Sequence, residues 1–143
     1  MRTFVASLLV LASLVMAGGC QKSLPATVSG QVTIDGASLP EGANTTGEVM
    51  FYPSGGGAPA YGEFTSGGRY RAQTGTTSGL VPGSYKVTVR LVEIEPEPPG
   101  GYQNAPGQKI ISPPRYNDIE KTDLEVTIQE GSNTLDLDLT TKP

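Results

Sequence analysis

A chain of 143 residues with formal charge −4, no histidine, no tryptophan and a single cysteine is long enough for one domain with its own core, and its composition excludes several chemistries. Without histidine there is no Ser-His-Asp or Cys-His centre and no imidazole for a metal; one thiol cannot close an internal disulfide, and an acidic surface is a poor match for nucleic acid. The 19 glycines and 12 prolines mark a chain of many turns.

The chain opens on a short positive segment, Met1-Arg2, followed by an uncharged and mostly apolar stretch from Thr3 to Met16. That stretch is too short to cross a bilayer of roughly 30 Å at about 1.5 Å per residue, and it fits the centre of a secretory signal peptide. Small residues follow, Ala17-Gly18-Gly19, and then Cys20. The order of charge, apolar run, small residues and thiol resembles a bacterial lipobox, with Ala17 where leucine is usual. The resemblance implies cleavage of residues 1–19 as a signal peptide and a thioether-linked diacylglyceryl group on Cys20, whose thiolate is the good nucleophile for that bond. It also implies secretion across the inner membrane and anchoring, by palmitate-type chains, to a membrane of the bacterial cell envelope. The plainer alternative is an ordinary signal peptide that happens to hold a cysteine. Gln21 follows the cysteine, and residues 20–26 read as the lipidated tether of a domain spanning 27–143.

Past the tether the apolar residues alternate with period two, which predicts strands. Thr27 to Ile34 places Val28, Gly30, Val32 and Ile34 on one face, and Asp35-Gly36 supplies a turn. Gly47 to Tyr52 is a second strand, stopped by Pro53 and a Gly-rich loop. Tyr61 to Thr65 and Arg69 to Thr74 flank Ser66-Gly67-Gly68, a hairpin signal. Ser84 to Glu93 is the clearest strand, with Tyr85, Val87, Val89 and Leu91 on one face. Six prolines between Pro96 and Pro114 then forbid a helix or a central strand, and a loop this long reads as functional or mobile. Asp123 to Gln129 and Thr134 to Thr140 form a last pair joined through Glu130-Gly131-Ser132-Asn133. Seven short strands with apolar faces predict an all-β sandwich of two stacked sheets.

Three motifs carry a family resemblance: Gly30-Gln31-Val32-Thr33-Ile34-Asp35-Gly36-Ala37-Ser38-Leu39, Gly68-Arg69-Tyr70, and Gly79-Leu80-Val81-Pro82-Gly83-Ser84-Tyr85-Lys86-Val87-Thr88-Val89. They resemble the turn and core signatures of carboxypeptidase-regulatory-like, or transthyretin-like, domains. Pro113-Pro114-Arg115-Tyr116 and Gly131-Ser132-Asn133 match late features of bacterial lipoproteins of that kind. The resemblance covers about residues 27 to 140 and implies a seven-stranded prealbumin-like or immunoglobulin-like sandwich of the sort used as accessory, adhesive or stalk modules. One transthyretin-like relative hydrolyses 5-hydroxyisourate through histidines, which this chain lacks, so that activity does not carry over.

The residues themselves point to no catalytic set, no metal and no cofactor. Asp136, Asp138, Asp123 and Glu125 are oxygen ligands of the kind Ca²⁺ takes, but their alternation with leucine and valine reads as a solvated outer face. Arg69, Arg71, Lys86 and Arg90 form an outward basic set. Tyr102, Tyr116 and Arg115 border or lie in the Pro-rich segment and are the candidate partner contacts, since tyrosine offers rigid amphipathic contact area. The alternative role for the two tyrosines is to pin the segment onto the sandwich. The expected function is a non-catalytic binding or structural module of the envelope, held to the membrane through lipid on Cys20 and contacting an envelope protein or a glycan, with no nucleic acid partner. Two other readings stay open: a carrier for a small apolar ligand, and an enzyme or accessory domain acting through carboxylates, which needs two inward-facing acids in one pocket.

Overall fold

The computed structural model of the protein describes residues 23–41, 44–64, 67–96, 99–100 and 107–142. Cys20, residues 1–19 and Tyr102 lie outside the described residues. The described chain is almost entirely β, in two sheets that enclose one apolar core. Each of the seven anticipated runs carries strand, but two of them are divided, and three short strands join them.

β1 (Ala26–Ile34) is the spine of the smaller, five-stranded sheet. Its alternation buries Val28 and Val32 and leaves Ser29, Gln31 and Thr33 partly exposed on the opposite face. Asp35 and Gly36 both take positive φ, 49° and 76°, the conformation of a tight type I′ turn, and β2 (Ala37–Ser38) folds back onto β1 there. Gly30 sits where the chain ends of the sheet converge. A Cβ on it would lie 1.8 Å from the carbonyl oxygen of Leu135, so only glycine admits that approach.

The larger, seven-stranded sheet is built on β3 (Thr45–Pro53) and the later β8 (Gly83–Ile94), which pair antiparallel from Thr45↔Glu93 to Pro53↔Tyr85. β4 (Ala60–Phe64) covers the other side of β3. β5 (Arg69–Arg71) departs from the predicted hairpin. It pairs with β1 in the smaller sheet, Gly30 opposite Tyr70. Only at the base does the chain rejoin β4, through Tyr61↔Gln73 at β6 (Gln73–Thr74), with β7 (Thr77–Ser78) alongside. The chain thus passes from one sheet to the other ahead of β5, and the amide of Val32 donating to Gly68 O at 2.9 Å fastens that crossing.

Between β7 and β8 the Tyr85 hydroxyl donates to the carbonyl of Val81, four residues back, at 2.6 Å. This is a tyrosine corner, the device that locks a change of direction in sandwich folds. Pro82 pre-sets φ for the turn and Gly83 follows it. Burial raises the pKa of the Tyr85 hydroxyl even though the Val81 bond opposes the shift.

The Pro-rich segment is not wholly a loop. Three of its residues form β9 (Gln108–Ile110), an edge strand on the end of β8, and Pro114–Asn117 make a 3₁₀ turn. An edge position and a short 3₁₀ turn are both compatible with flanking prolines. The last two predicted strands are not a pair. β10 (Glu125–Ile128) adds to β8, whereas β11 (Gly131–Thr134) and β12 (Leu137–Leu139) run parallel to β1 in the other sheet. The predicted turn Gly131-Ser132-Asn133 is itself the start of β11, and Gly131 N donates to Pro25 O at 2.9 Å.

Val28, Val32, Leu137 and Leu139 of the smaller sheet meet Val49, Phe51, Val87, Val89 and Leu91 of the larger. Each such side chain contributes about 1.5–3 kcal/mol on burial. The ring of Phe51 lies edge-on to Tyr85 at 6.3 Å and 6.1 Å from Tyr70, so three aromatic rings join the sheets. The Tyr70 hydroxyl donates to Leu135 O at 2.7 Å, and burial pushes its pKa well above the ordinary value for tyrosine.

Strand direction gives the sandwich two distinct ends. The chain arrives at the entry end, where Ala26 and Leu80 exchange backbone hydrogen bonds of 3.1 and 2.8 Å and Ser54 N donates to Ser84 O. β8 runs from there to the far end, where Ile94 N donates to Asn44 O at 2.7 Å. The far end also holds the Asp35-Gly36 turn and the pairing of Ile94 with Gln108. Twelve residues of β8 at about 3.3 Å each separate the two ends by roughly 40 Å.

Candidate functional site

Arg115 and Tyr116 lie in the 3₁₀ turn, and the structure turns the tyrosine inward. Tyr116 is 2% exposed and belongs to the core. Its hydroxyl accepts hydrogen bonds from Arg115 Nη2 at 2.7 Å and from Thr140 N at 3.2 Å. Arg115 also donates through Nη1 to Lys142 O at 2.9 Å and through Nη2 to Thr140 O and Thr140 Oγ1. Its guanidinium carbon stands 4.7 Å from the centroid of the Tyr116 ring, within cation–π range. The hydrogen bond to Tyr116 raises the arginine's pKa. For Tyr116 burial pulls the other way, but the bonds from Thr140 and Arg115 outweigh it and lower the pKa. Both side chains are committed to holding the chain's last strand. Tyr116 therefore pins the segment and offers no ring face to a partner; that is the correction to its expected role as a contact.

The same stretch closes the edge of β8 between β9 and β10. Ser112 Oγ accepts from Leu91 N at 3.1 Å and donates to Asn117 Oδ1 at 2.7 Å. Thr122 Oγ1 donates to Val87 O at 2.7 Å and accepts from Leu124 N at 3.2 Å. Both hydroxyl residues are buried. They replace ladder bonds that a strand would supply, which keeps a long edge from being open. Sequence reading missed this pair; the one available signal was Ser and Thr in an otherwise Pro-rich, non-periodic stretch.

The carboxylates of the smaller sheet are structural acceptors. At the break between β11 and β12, Asp136 Oδ1 accepts from Gln31 N at 2.9 Å, standing in for a ladder carbonyl. Asp138 Oδ1 accepts from Thr33 Oγ1 and Gly36 N, each at 2.8 Å. Asp35 accepts from Thr141 N at 2.9 Å and Thr141 Oγ1 at 2.5 Å, and these bonds lower its pKa. No group of three or more His, Cys, Asp or Glu among the described residues is arranged to hold a metal ion. The buried polar residues among those described are Thr45, Thr88, Ser112 and Thr122, none of them an acid, so the inward carboxylate pair that a glycan-hydrolase reading needs is not among them.

On the outer face of the larger sheet Arg90 stands opposite Glu48, and Glu48 opposite Glu63. These residues line an open cleft of about 210 Å³ with Thr46, Val92 and Gln108. The cleft reaches β9, where Gln108, Lys109 and Ile110 are all exposed, Ile110 by 50%. β9 pairs with β8 on one side and with no described strand on the other. Outward main-chain groups, one cation and an exposed isoleucine make this the described surface best equipped for a partner. A second cleft, of about 470 Å³, opens at the entry end between the loop after β3 and the tyrosine corner. No helix among the described residues is long and apolar enough to cross a membrane.

No family model, no curated protein and no solved structure matches the chain.

Proposed function

We propose that the protein is a lipid-anchored lipoprotein of the bacterial cell envelope. Its β-sandwich acts as a non-catalytic binding or structural module and presents the hairpin of β8 and β9 to its partner. The observation that carries this reading is the opposition of the two ends. The chain coming from Cys20 enters at one end, and the β8–β9 segment lies at the other, roughly 40 Å away along β8. An anchored domain of that shape places its most accessible edge furthest from the lipid. The lipobox-like order of residues 1–20 supports the anchor. The tyrosine corner and the two-sheet core support a prealbumin-like or immunoglobulin-like sandwich of the carboxypeptidase-regulatory-like kind. The partner is an envelope protein or a glycan.

The test combines crosslinking on intact cells with deletion of residues 97–108. The deletion is expected to leave cooperative unfolding in place and to abolish capture of the partner that wild type yields. Capture that survives both this deletion and Ile110→Asp rejects the hairpin as the contact. The same partner captured equally by Cys20→Ala rejects the anchor as part of the function.

A further inference from the structure

At the entry end, the tyrosine corner raises Val81 and Pro82 into solvent; Val81 is 58% exposed, the most of any large apolar side chain described. Beside it the 470 Å³ cleft is lined by Pro53, Ala58, Val81, Pro82 and Tyr85, with glycines and small polar residues between them and no charged group. In a chain of net charge −4, an uncharged cleft beside a projecting valine presents no charge that would have to be desolvated against an apolar layer.

The length of chain before the domain limits what that partner can be. Ser23 is the first described residue, and Leu24 N already donates to Ser78 O at 2.9 Å, with Ala26 held by Leu80. The sandwich therefore begins immediately beside the corner. Three residue steps separate Cys20 from Ser23, and at about 3.3–3.6 Å per residue they reach roughly 10 Å. If Cys20 carries lipid, the entry end cannot leave the headgroup layer.

We propose that this end rests on the bilayer, with Val81 and Pro82 inserted at the boundary of headgroups and acyl chains and the uncharged cleft facing the lipid. The inference rests on the anchoring reading above. One valine and one proline bind a membrane weakly by themselves, but a tether of roughly 10 Å makes the contact intramolecular, at high effective concentration. In the sequence Lys22 follows Cys20 by two residues, so the tether brings a positive charge that favours anionic headgroups. Glu130, next to the Gly131 that bonds Pro25, is the nearby opposing charge. The contact sets orientation: the sandwich stands upright, and β9 points away from the membrane.

Full-length protein acylated in its host, reconstituted into vesicles of phosphatidylethanolamine and phosphatidylglycerol, tests this. Val81→Cys and, separately, Ile110→Cys are labelled with an environment-sensitive fluorophore; both positions are at least half exposed, and an acylated Cys20 takes no label. The expected result is a blue-shifted Val81 label, several-fold protected from aqueous iodide, and an Ile110 label quenched as in water. Equal quenching at both positions in acylated, vesicle-bound protein overturns the docking and leaves the anchor standing. Equal protection at both also overturns it, since the domain would then lie on its side. Intact mass showing an unacylated Cys20 removes the anchoring reading and this inference together.

Discussion

The two halves of the stretch from Pro96 to Thr122 both carry prolines and have opposite fates. Between Gln108 and Ile110 the chain is an exposed edge strand held by backbone bonds to β8. Between Ser112 and Thr122 it is pinned, with Ser112, Tyr116 and Thr122 all buried and the hydroxyl of each bonded. Prolines disfavour helix and central strand in both halves. What separates them is the supply of hydroxyl groups positioned to satisfy β8. A segment rich in them can be drawn against a strand edge without being a strand, while one that lacks them is left at the rim, where it is free to meet something else.

The largest effect that tests this contrast is Tyr116→Ala. Emptying a core aromatic site is expected to cost about 3–5 kcal/mol, read from urea or thermal unfolding, whereas Ile110→Ala should stay within about 0.5 kcal/mol. Similar losses at the two positions would erase the distinction between a pinned and a presented half. Next in size is Ser112→Ala, which leaves Leu91 N and Asn117 Oδ1 without their partner. A buried group orphaned in this way costs about 1–3 kcal/mol, and amide exchange at Leu91 should accelerate while exchange at Glu93, opposite Lys109, does not.

A smaller, pH-dependent effect belongs to the pinned half alone. The backbone bond from Glu120 and the contact with Lys121 lower the pKa of Asp118. A carboxylate with a depressed folded-state pKa contributes stability that is present above its unfolded value, about 3.9, and lost as pH falls through the folded one. The protection factor of the Glu120 amide, taken against its intrinsic exchange rate at each pH, should therefore fall as the pH is taken below about 4, and Asp118→Asn should abolish that dependence. A Glu120 amide whose protection is flat through this range would show that the Asp118 turn does not hold the segment.

How much of this was legible in the sequence follows from the range of each signal. β1 and β8 were readable because alternation repeats along each strand, and Val28, Val32, Val87, Val89 and Leu91 fall on the predicted inner face. The Ser66-Gly67-Gly68 stretch signals a hairpin because a turn signal is local. It does not say that Arg69–Arg71 will leave β4 for Gly30 and Gln31, some forty residues earlier in the chain. The last two runs look like neighbours for the same reason, although the bonds of Gly131 to Pro25 and Asp136 to Gln31 deliver only the second of them to β1, while β10 stays on β8. In the Pro-rich stretch there is no period at all. Contact and pinning were therefore equally readable for Tyr116, and what decides between them, Thr140, lies 24 residues away.

The smallest expected effect on stability carries the largest expected effect on function. Ile110→Asp replaces a half-exposed side chain of β9 that stands opposite the buried Val92, a single cross-strand pair, so unfolding should shift by no more than about 1 kcal/mol. If the hairpin is the contact surface, the same substitution puts a charge where the free surface presents an exposed isoleucine. Charges desolvated without a partner are strongly disfavoured, and capture in the cell-surface crosslinking assay should drop sharply while the fold stays intact. Tyr116→Phe is its counterpart: it keeps the ring in the core and removes only the hydroxyl that Arg115 and Thr140 bind, so it should weaken stability and leave capture unchanged. If Ile110→Asp were silent in capture while Tyr116→Phe reduced it, the pinned half would be the part a partner reads, and the edge strand would be only the rim of the sheet.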